Sequence, residues 1–302
     1  MMAVSTADIK TLREKTGAGM MEVRAALMEA EGDLDKAVEI LRQKGAATAE
    51  KKASRAVGEG KIAGAVEGNV AVLVEVNCET DFSANNERFV HLVQGSVACA
   101  LATNTAETEA ILAADYQGQA LKAHFTDTIG AIKENMTLTR VVRLEAGENG
   151  LLQSYIHANQ KIGVLVELGA TQTATLANPA VAQLAKDLAM QIAAYAPDFA
   201  TRDEIPQAAV DEETRIEMGK EDIQSKPEAI RGNIVKGRVE KNLAQRVLSL
   251  QAFVKDGSKT VAEVIADLSK ATGDTVTLCR FVRFALGETM QAEASEAEAV
   301  AV

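Results

Sequence analysis

The sequence predicts an α+β fold in which small antiparallel sheets are covered by helices and helical modules are attached to this core. Two patterns lead to this prediction. The first 46 residues show helical periodicity with closely spaced breaks, and β-rich runs alternate with helical segments from Val57 onward. These runs lack the long βαβ regularity of a doubly wound sheet. A chain of 302 residues with 47% hydrophobic residues suffices for two domains or slightly more and for a substantial core.

The N-terminal segment predicts three short helices that form a small bundle. Ser5 favours the start of the first helix, and the turn at 16–19 ends it. Met20 begins the second helix, and Asp33 can cap a third helix that we expect to stop near Gly45. The apolar residues expected to line the bundle are Ile9, Leu12, Val23, Ala26, Leu27, Ala30, Leu34, Ala37, Val38 and Leu41. Such a small unit is typical of a binding module.

A polar stretch, residues 48–56, links this bundle to the rest of the chain. Its basic run, Lys51–Arg55, is short, and we interpret it as a solvated linker rather than a nucleic-acid patch. The formal net charge of −11 opposes binding to a phosphate backbone, which requires clustered Lys and Arg. We therefore expect no direct contact with nucleic acid, and the acidic balance suits a protein that acts on another protein.

A strand and a helix start meet at residues 71–82. Ala71–Val76 is rich in β-branched residues and predicts a largely buried strand. Thr80 can cap the following helix, and Asp81 then lies in its first turn, where its charge suits the helix dipole. Aromatic residues make up only 3% of the chain. Phe82 is therefore a candidate for insertion into a partner, with burial in the chain's own core as the alternative.

Two segments of the first half recur in the second half. Leu73–Val76 matches Leu165–Leu168, and Leu138–Glu148 matches Leu278–Glu288. Both copies of the longer segment keep Arg at the third and sixth positions and end in Gly-Glu. This agreement predicts an internal duplication, with each half an α+β unit.

The second half carries an insertion between its two repeated segments. Asp211–Val254 is charged and helical in character, and Ser225-Lys226-Pro227 interrupts it. Two helices joined there predict an antiparallel hairpin. Its apolar stripe consists of Ile230, Ile234, Val235, Val239, Leu243 and Val247. The hairpin's own first helix, another subunit or a partner must cover this stripe.

These patterns set the expected domain boundaries. We expect a three-helix N-terminal module and linker at 1–55, a first core subdomain at 56–150, a second core subdomain at 151–200 and 257–288, an inserted helical hairpin at 201–256, and a disordered tail at 289–302.

No enzyme signature is present. The chain lacks a phosphate-binding GxxxxGK[ST] loop, a GxSxG elbow and an HExxH pair, and Gly17-Ala18-Gly19 fails as a dinucleotide fingerprint because Glu22 occupies the third glycine position. Cys78, Cys99 and Cys279 are far apart, so we expect reduced, buried thiols. The histidines, His91, His124 and His157, are unclustered. We therefore expect no catalytic residues, no cofactor and no metal site.

No apolar run approaches the roughly 20 residues that span a membrane. The N-terminus also lacks the pattern of a secretory signal or transit peptide, so we expect a soluble cytoplasmic protein with no membrane contact. The remaining candidate contact sites are the Met20-Met21 pair, Asp81-Phe82 and the hairpin. Methionine is common at adaptable protein-binding surfaces. The alternative is packing within the bundle, which we expect for one of the two methionines.

Two signatures resemble those of the elongation factor Ts family. They are Leu12–Met21 (LREKTGAGMM) and Glu75–Phe82 (EVNCETDF), and the duplicated core and inserted hairpin match as well. The resemblance implies a guanine-nucleotide exchange factor for the GTPase elongation factor Tu. It further implies an N-terminal module of ubiquitin-associated type, a two-part core and a helical dimerisation module, with a homodimer through the hairpin as an open possibility.

The resemblance also implies roles for individual residues. Thr80, Asp81 and Phe82 match the motif that wedges beside the partner's switch II helix. At another matched position, Arg24, some relatives carry Lys. Lys133 stands where relatives can carry Gly. The remaining matched contacts are Arg13, Met20, Met21 and Arg24 toward the nucleotide-binding domain, Ile132 in a core loop, His157 toward another partner domain, and Val235 in the hairpin.

The implied mechanism involves no covalent chemistry, because an exchange factor binds the nucleotide-free partner more tightly than the nucleotide-bound partner. Two other classes stay open at this point. One is a scaffold that binds the GTPase without accelerating release of GDP, and the other is an enzyme of unknown type. Neither explains both signatures.

Overall fold

The computed structural model describes residues 4–288 and has a mixed α+β architecture, as the sequence predicts. The expected disordered tail at 289–302 lies outside the described residues. The helices are α1 (Thr6–Thr16), α2 (Met20–Glu29), α3 (Leu34–Lys52), α4 (Asp81–Ala84), α5 (Glu87–Ala102), α6 (Thr108–Ala113), α7 (Leu121–Ile132), α8 (Thr173–Leu176), α9 (Pro179–Tyr195), α10 (Gln207–Gly219), α11 (Glu221–Gln224), α12 (Glu228–Arg246) and α13 (Val261–Thr272). The strands are β1 (Glu59–Glu67), β2 (Val70–Cys78), β3 (Asp115–Tyr116), β4 (Gln119–Ala120), β5 (Met136–Glu145), β6 (Gly150–Ile156), β7 (Ile162–Ala170), β8 (Ala252–Phe253), β9 (Asp256–Thr260) and β10 (Val276–Ala285).

The predicted N-terminal helices are present and end where local sequence signals place most of their termini. The Ser5 hydroxyl accepts from the Asp8 N–H at 3.0 Å, and the Asp33 carboxylate caps α3. Gly17 ends α1 with φ +70°, a conformation that glycine adopts without steric cost. The apolar core of the bundle consists of Leu12, Ala18, Val23, Ala26, Leu27, Ala30 and Ala37.

The prediction that the third helix stops near Gly45 is wrong. Helix α3 continues to Lys52, so the first half of the expected linker is helical. Gly45 is buried against Gly130 of α7, and a Cβ built on Gly130 would lie 2.9 Å from the Gly45 Cα. The glycine therefore allows two helices to approach closely instead of ending one of them.

Two three-stranded antiparallel sheets form the core. Their strand orders are β1-β2-β5 and β6-β7-β10, so the second strand of each sheet is central. These central strands contain the repeated Leu73–Val76 and Leu165–Leu168 segments. In both sheets the ladder shifts register at equivalent places on the third strand, just before Arg140 and Arg280. The predicted repeat thus corresponds to two sheets of the same topology.

The two sheets pack face to face, and helices cover their outer faces. The shared inner layer consists of Ile62, Ala71, Leu73, Leu144, Leu152, Leu165 and Phe284. Alternate residues of β2, such as Val72 and Val74, point away from this layer and pack with Phe89 of α5. Both faces of each central strand are buried, which explains their nearly continuous apolar sequence.

An ion pair between an arginine and a buried glutamate recurs in each half. Arg140 Nε lies 2.7 Å from Glu75 Oε2, and Arg280 Nε lies 2.6 Å from Glu167 Oε2. Both glutamates belong to central strands and are buried. The arginine at the third position of the repeated segment therefore neutralises a buried carboxylate in its own sheet.

The same carboxylates connect the two halves. The Gly287 N–H donates to Glu75 Oε1 at 3.0 Å, and the Gly147 N–H donates to Glu167 Oε1 at 2.9 Å. Each glycine comes from the Gly-Glu end of the repeated segment in the opposite half. The repeated arginine and glycine positions thus form one reciprocal network across the core.

The insertion forms an antiparallel helical pair. Glu213 of α10 accepts from Asn242 of α12 at 2.7 Å, and Asp222 of α11 accepts from Arg238 of α12. The partner residue in α12 thus moves backward along the chain as the first segment moves forward, which is the antiparallel arrangement. The predicted stripe is buried at Val235, Val239, Leu243 and Val247, whereas Ile230 is exposed. The residues that cover it include Ile205, Val210 and Ile223. The hairpin therefore covers much of its stripe with its own chain.

Candidate partner-binding surface

The predicted corner after the first central strand is present. Strand β2 ends at Cys78, and the Thr80 hydroxyl accepts from the Ser83 N–H to cap α4. Phe82 is 85% exposed on this single turn. The alternative that Phe82 folds into the core is wrong, because Ser83 and Ala84 occupy the inward side of the turn. The structure thus presents an aromatic side chain on a short helix at the surface.

Glu134 holds the start of this turn from a distant part of the chain. Its Oε2 accepts from the Thr80 N–H at 3.1 Å, and its Oε1 accepts from the Thr80 hydroxyl at 2.8 Å. The two residues are 54 positions apart. Sequence analysis missed this role, because capping by Thr80 is a local signal and its pairing with Glu134 depends on tertiary placement.

Glu79 makes the complementary contact. Its Oε1 accepts from the Asn135 N–H at 2.7 Å, and its Oε2 lies 3.3 Å from Arg55 Nη1. Burial favours a higher pKa for Glu79, but the Asn135 N–H and the Arg55 guanidinium outweigh this effect and hold the pKa below its ordinary value. Glu79 therefore stays ionised and accepts strongly.

The Cys78 thiol also supports the corner. It donates to the Thr80 carbonyl at 3.2 Å. Burial, reinforced by the charge of Glu134, raises the pKa of Cys78 to about 12. All three cysteines are free, and the expectation of buried thiols is confirmed for Cys78 and Cys99 but is wrong for Cys279, which is exposed on β10.

The four residues predicted on the N-terminal surface are all exposed. Arg13 lies on α1, and Arg24 lies on α2. Met20 and Met21 occupy the first turn of α2 and are 58% and 72% exposed. The alternative that the methionines pack within the bundle is therefore wrong. Both ends of the predicted signature LREKTGAGMM thus carry exposed side chains, on either side of the Gly17 turn in sequence.

This N-terminal surface is tied to the core near the corner. Lys133 Nζ lies 2.9 Å from Glu22 Oε1, and Glu22 also accepts from the Gly19 N–H at 3.3 Å. Lys133 has φ +67° and ends α7 in the left-handed conformation. Ile132, just before it, is half-buried against the apolar core. The predicted contact at Ile132 thus has only a partly exposed side chain.

His157 and Val235 occupy two other regions. His157 is exposed after β6, and its Nδ1 lies 2.9 Å from the Tyr155 hydroxyl. Val235 is only 2% exposed and forms part of the floor of a cavity of about 750 Å³ beside α10 and α12. The predicted contact at Val235 thus falls on a buried side chain that lines this cavity.

Two of the three histidines, His91 and His124, lie beside the same tyrosine, Tyr116. His91 Nε2 lies 3.4 Å from the Tyr116 hydroxyl, and His124 Nε2 lies 2.7 Å from the Tyr116 carbonyl oxygen. Among residues 4–288, no group of three or more His, Cys, Asp or Glu side chains is arranged to hold a metal ion. Within the same part of the chain, every helix is too short or too polar to span a membrane.

Comparison with known proteins places the chain in a family. The family model described as Elongation factor TS matches residues 79–288. The chain is 39% identical to elongation factor Ts of Nostoc sp., with 100% of this chain and 98% of the relative covered. It is 38% identical to that of Clostridium botulinum (99% and 98% covered) and 40% identical to that of Trichlorobacter lovleyi (98% and 96% covered). The chain therefore belongs to the elongation factor Ts family, whose members exchange the guanine nucleotide of elongation factor Tu in translation elongation without covalent chemistry.

Proposed function

We propose that this chain binds elongation factor Tu with GDP and accelerates GDP release by inserting Phe82 beside the switch II helix. The observation that carries the proposal is the exposure of Phe82, which is 85% accessible on a turn held by Thr80 and Glu134. Exposing a large aromatic side chain is unfavourable in water, whereas a partner pocket that covers it gains both apolar area and shape complementarity.

The mechanism is a linkage effect. Asp81 and Phe82 displace the switch helix, and this displacement disturbs the groups that orient the Mg²⁺ shell and weakens the metal's bridging of the phosphates. By thermodynamic reciprocity, a factor that binds the empty GTPase more tightly weakens nucleotide binding by the same ratio. Cellular GTP then reloads the GTPase and displaces the factor. The Mg²⁺ belongs to the partner, so the chain itself uses neither a metal nor a cofactor.

The N-terminal surface supplies a second contact. Arg13 and Arg24 flank the exposed Met20-Met21 pair in the sequence, and we infer a face that combines two adaptable apolar side chains with two cationic ones. We assign this face to the nucleotide-binding domain of the GTPase. Its role is affinity and orientation, while Phe82 supplies the displacement.

The core and the hairpin extend the contact area. We assign Ile132 to the edge of the first contact, His157 to a second domain of the partner, and Val235 to the floor of a cavity that receives a partner side chain. We further infer that the hairpin can pair two copies of the chain. Sedimentation tests this inference, because a single monomeric species at concentrations of about 100 µM would contradict a dimer of micromolar affinity.

We propose the modular organisation whose boundaries the sequence predicts. We infer a ubiquitin-associated-like module and linker at 1–55, core subdomains from one duplication at 56–150 and at 151–200 with 257–288, and the hairpin at 201–256. The matching strand orders and the recurring Arg–Glu pairs support the duplication. We place the activity in the cytoplasm, where translation elongation occurs.

Release of a fluorescent GDP from the cognate elongation factor Tu, chased with excess GTP, tests the proposal. We expect strong acceleration by the wild-type chain. Phe82→Ala should lose about 2–4 kcal/mol of binding or activation, as for a hot-spot residue. Tyr195→Ala is the matched control, because Tyr195 is an aromatic side chain with 57% exposure at the end of α9. An unchanged release rate with Phe82→Ala refutes the wedge, and binding without acceleration by the wild-type chain indicates a scaffold.

A further inference from the structure

The corner that carries Phe82 is clamped by two carboxylates in a reciprocal arrangement. Glu134 accepts from the backbone N–H of Thr80 at 3.1 Å, and Glu79 accepts from the backbone N–H of Asn135 at 2.7 Å. Each of two adjacent residue pairs, 79–80 and 134–135, therefore supplies one carboxylate and one N–H to the other. Hydrogen bonds to ionised acceptors are stronger than those between neutral groups.

Helix α4 cannot set the direction of Phe82 by itself. It contains only four residues, Asp81–Ala84, and a single helical turn is unstable in isolation. The contacts at its N-terminus therefore define its orientation. Thr80 links Glu134 to α4, because its hydroxyl donates to Glu134 and accepts from the Ser83 N–H.

A second set of contacts fixes the opposite side of the clamp. The Asn135 side-chain amide donates to the carbonyls of Ala53 and Arg55 at 3.3 and 2.9 Å. Arg55 in turn lies 3.3 Å from Glu79. The segment between α3 and β1 is thus bound to the same clamp. A displacement of the corner would break contacts to two other parts of the chain, residues 134–135 and Arg55.

We propose that Glu134 and Glu79 are positioning residues for nucleotide exchange, which act by holding Phe82 rigidly when it enters the partner. This inference rests on the proposed wedge function. A wedge displaces a helix only if its own support does not yield, so a loosened corner allows binding but transmits less displacement. The clamp should therefore affect the maximal rate of GDP release more than the concentration of factor needed for half-saturation.

Variants of Glu134 test this proposal in full-length protein. Glu134→Gln keeps the volume and one acceptor, whereas Glu134→Ala removes both acceptors. We expect the saturating rate of fluorescent-GDP release to fall about tenfold in Glu134→Ala and less in Glu134→Gln, with half-saturation changed less than about twofold. Glu109→Gln, on a solvent-exposed side chain of α6, is the matched control and should leave both quantities unchanged.

A double-variant comparison separates positioning from general destabilisation. If Glu134 acts through Phe82, Glu134→Gln should cause no further loss in a Phe82→Ala background. An equal fold-loss in both backgrounds, or a loss confined to half-saturation, overturns the proposal. Amide exchange in 81–84 gives an independent readout that does not involve the partner. Faster exchange there in Glu134→Gln is expected, and unchanged exchange refutes the clamp. Failure of the wild-type chain to accelerate GDP release would instead refute the proposed function.

Discussion

The contact between α3 and α7 predicts opposite effects for two similar substitutions. Gly45 and Gly130 are both buried in helices, and they face each other where the N-terminal bundle meets the core. Gly→Ala in a helix interior normally stabilises by about 0.5–1 kcal/mol, because alanine loses less backbone entropy on folding. The surroundings of the added Cβ decide whether this gain survives.

The two sites differ in the space they offer. A Cβ on Gly45 would lie 3.6 Å from the Thr126 carbonyl oxygen and 3.8 Å from the Gly130 Cα, which are ordinary contacts. A Cβ on Gly130 would lie 2.9 Å from the Gly45 Cα, so one helix backbone must move. Overpacking typically costs about 1–3 kcal/mol. We therefore expect Gly45→Ala to stabilise by about 0.5–1 kcal/mol and Gly130→Ala to destabilise by about 0.5–2 kcal/mol.

Urea unfolding of the two variants, followed by circular dichroism, measures this difference. Amide exchange in α3 locates it, because Gly130→Ala should accelerate exchange along this helix while Gly45→Ala should slow it. In the GDP-release assay, Gly130→Ala should also raise the half-saturating concentration, since the exposed methionines of α2 move with the bundle. Equal stabilisation by both substitutions would show that the helices separate freely and would refute the argument.

Three further predictions concern buried and titrating groups. Arg140→Met leaves the fully buried Glu75 without its cation, and we expect a loss of about 3–5 kcal/mol in urea unfolding; a loss below about 1 kcal/mol would contradict a buried pair. A chromogenic disulfide reagent at pH 8 should label Cys279 rapidly in the native chain and the other two thiols only in urea, because Cys78 is buried with a pKa of about 12; rapid native labelling of Cys78 would oppose this reading. The pKa of Glu217 is held below its ordinary 4.5, chiefly by its hydrogen bond with Lys220. The stability that ionised Glu217 gives the hairpin is therefore fully present above pH 4.5 and is lost as the pH falls through the lowered pKa. Amide exchange in α12 should accelerate only in that acidic range. In Glu217→Gln this pH dependence should disappear.

Local signals in the sequence were sufficient for helix starts and for the repeat. Ser5, Asp33 and Thr80 each cap the helix predicted from their side-chain chemistry, because a cap involves residues two or three positions away. The Gly45 prediction failed for the opposite reason. A glycine can end a helix or admit a neighbouring helix, and the neighbour, Gly130, lies far along the chain.

The orientation of Phe82 was open from sequence for a similar reason. A one-turn helix can present any of its side chains to the core, and only the placement of α4 against the core turns Ser83 and Ala84 inward and leaves Phe82 outside. The clamp partner Glu134 and the buried position of Val235 in the hairpin were equally inaccessible to pattern analysis. Both depend on the packing of segments that are distant in sequence.

The sequence by itself determined the α+β class, the helical caps, the repeated segments and the family signatures, because these properties reside in composition, short-range geometry or direct similarity. Only the tertiary structure decided that the repeated arginines and glycines form one reciprocal network and that two carboxylates hold the corner bearing Phe82. Such contacts arise when the sheets and helices pack. Arginine, glycine and glutamate also occur on solvated surfaces, where they form no such network. Their structural roles here are therefore defined only when their burial and mutual distances are known.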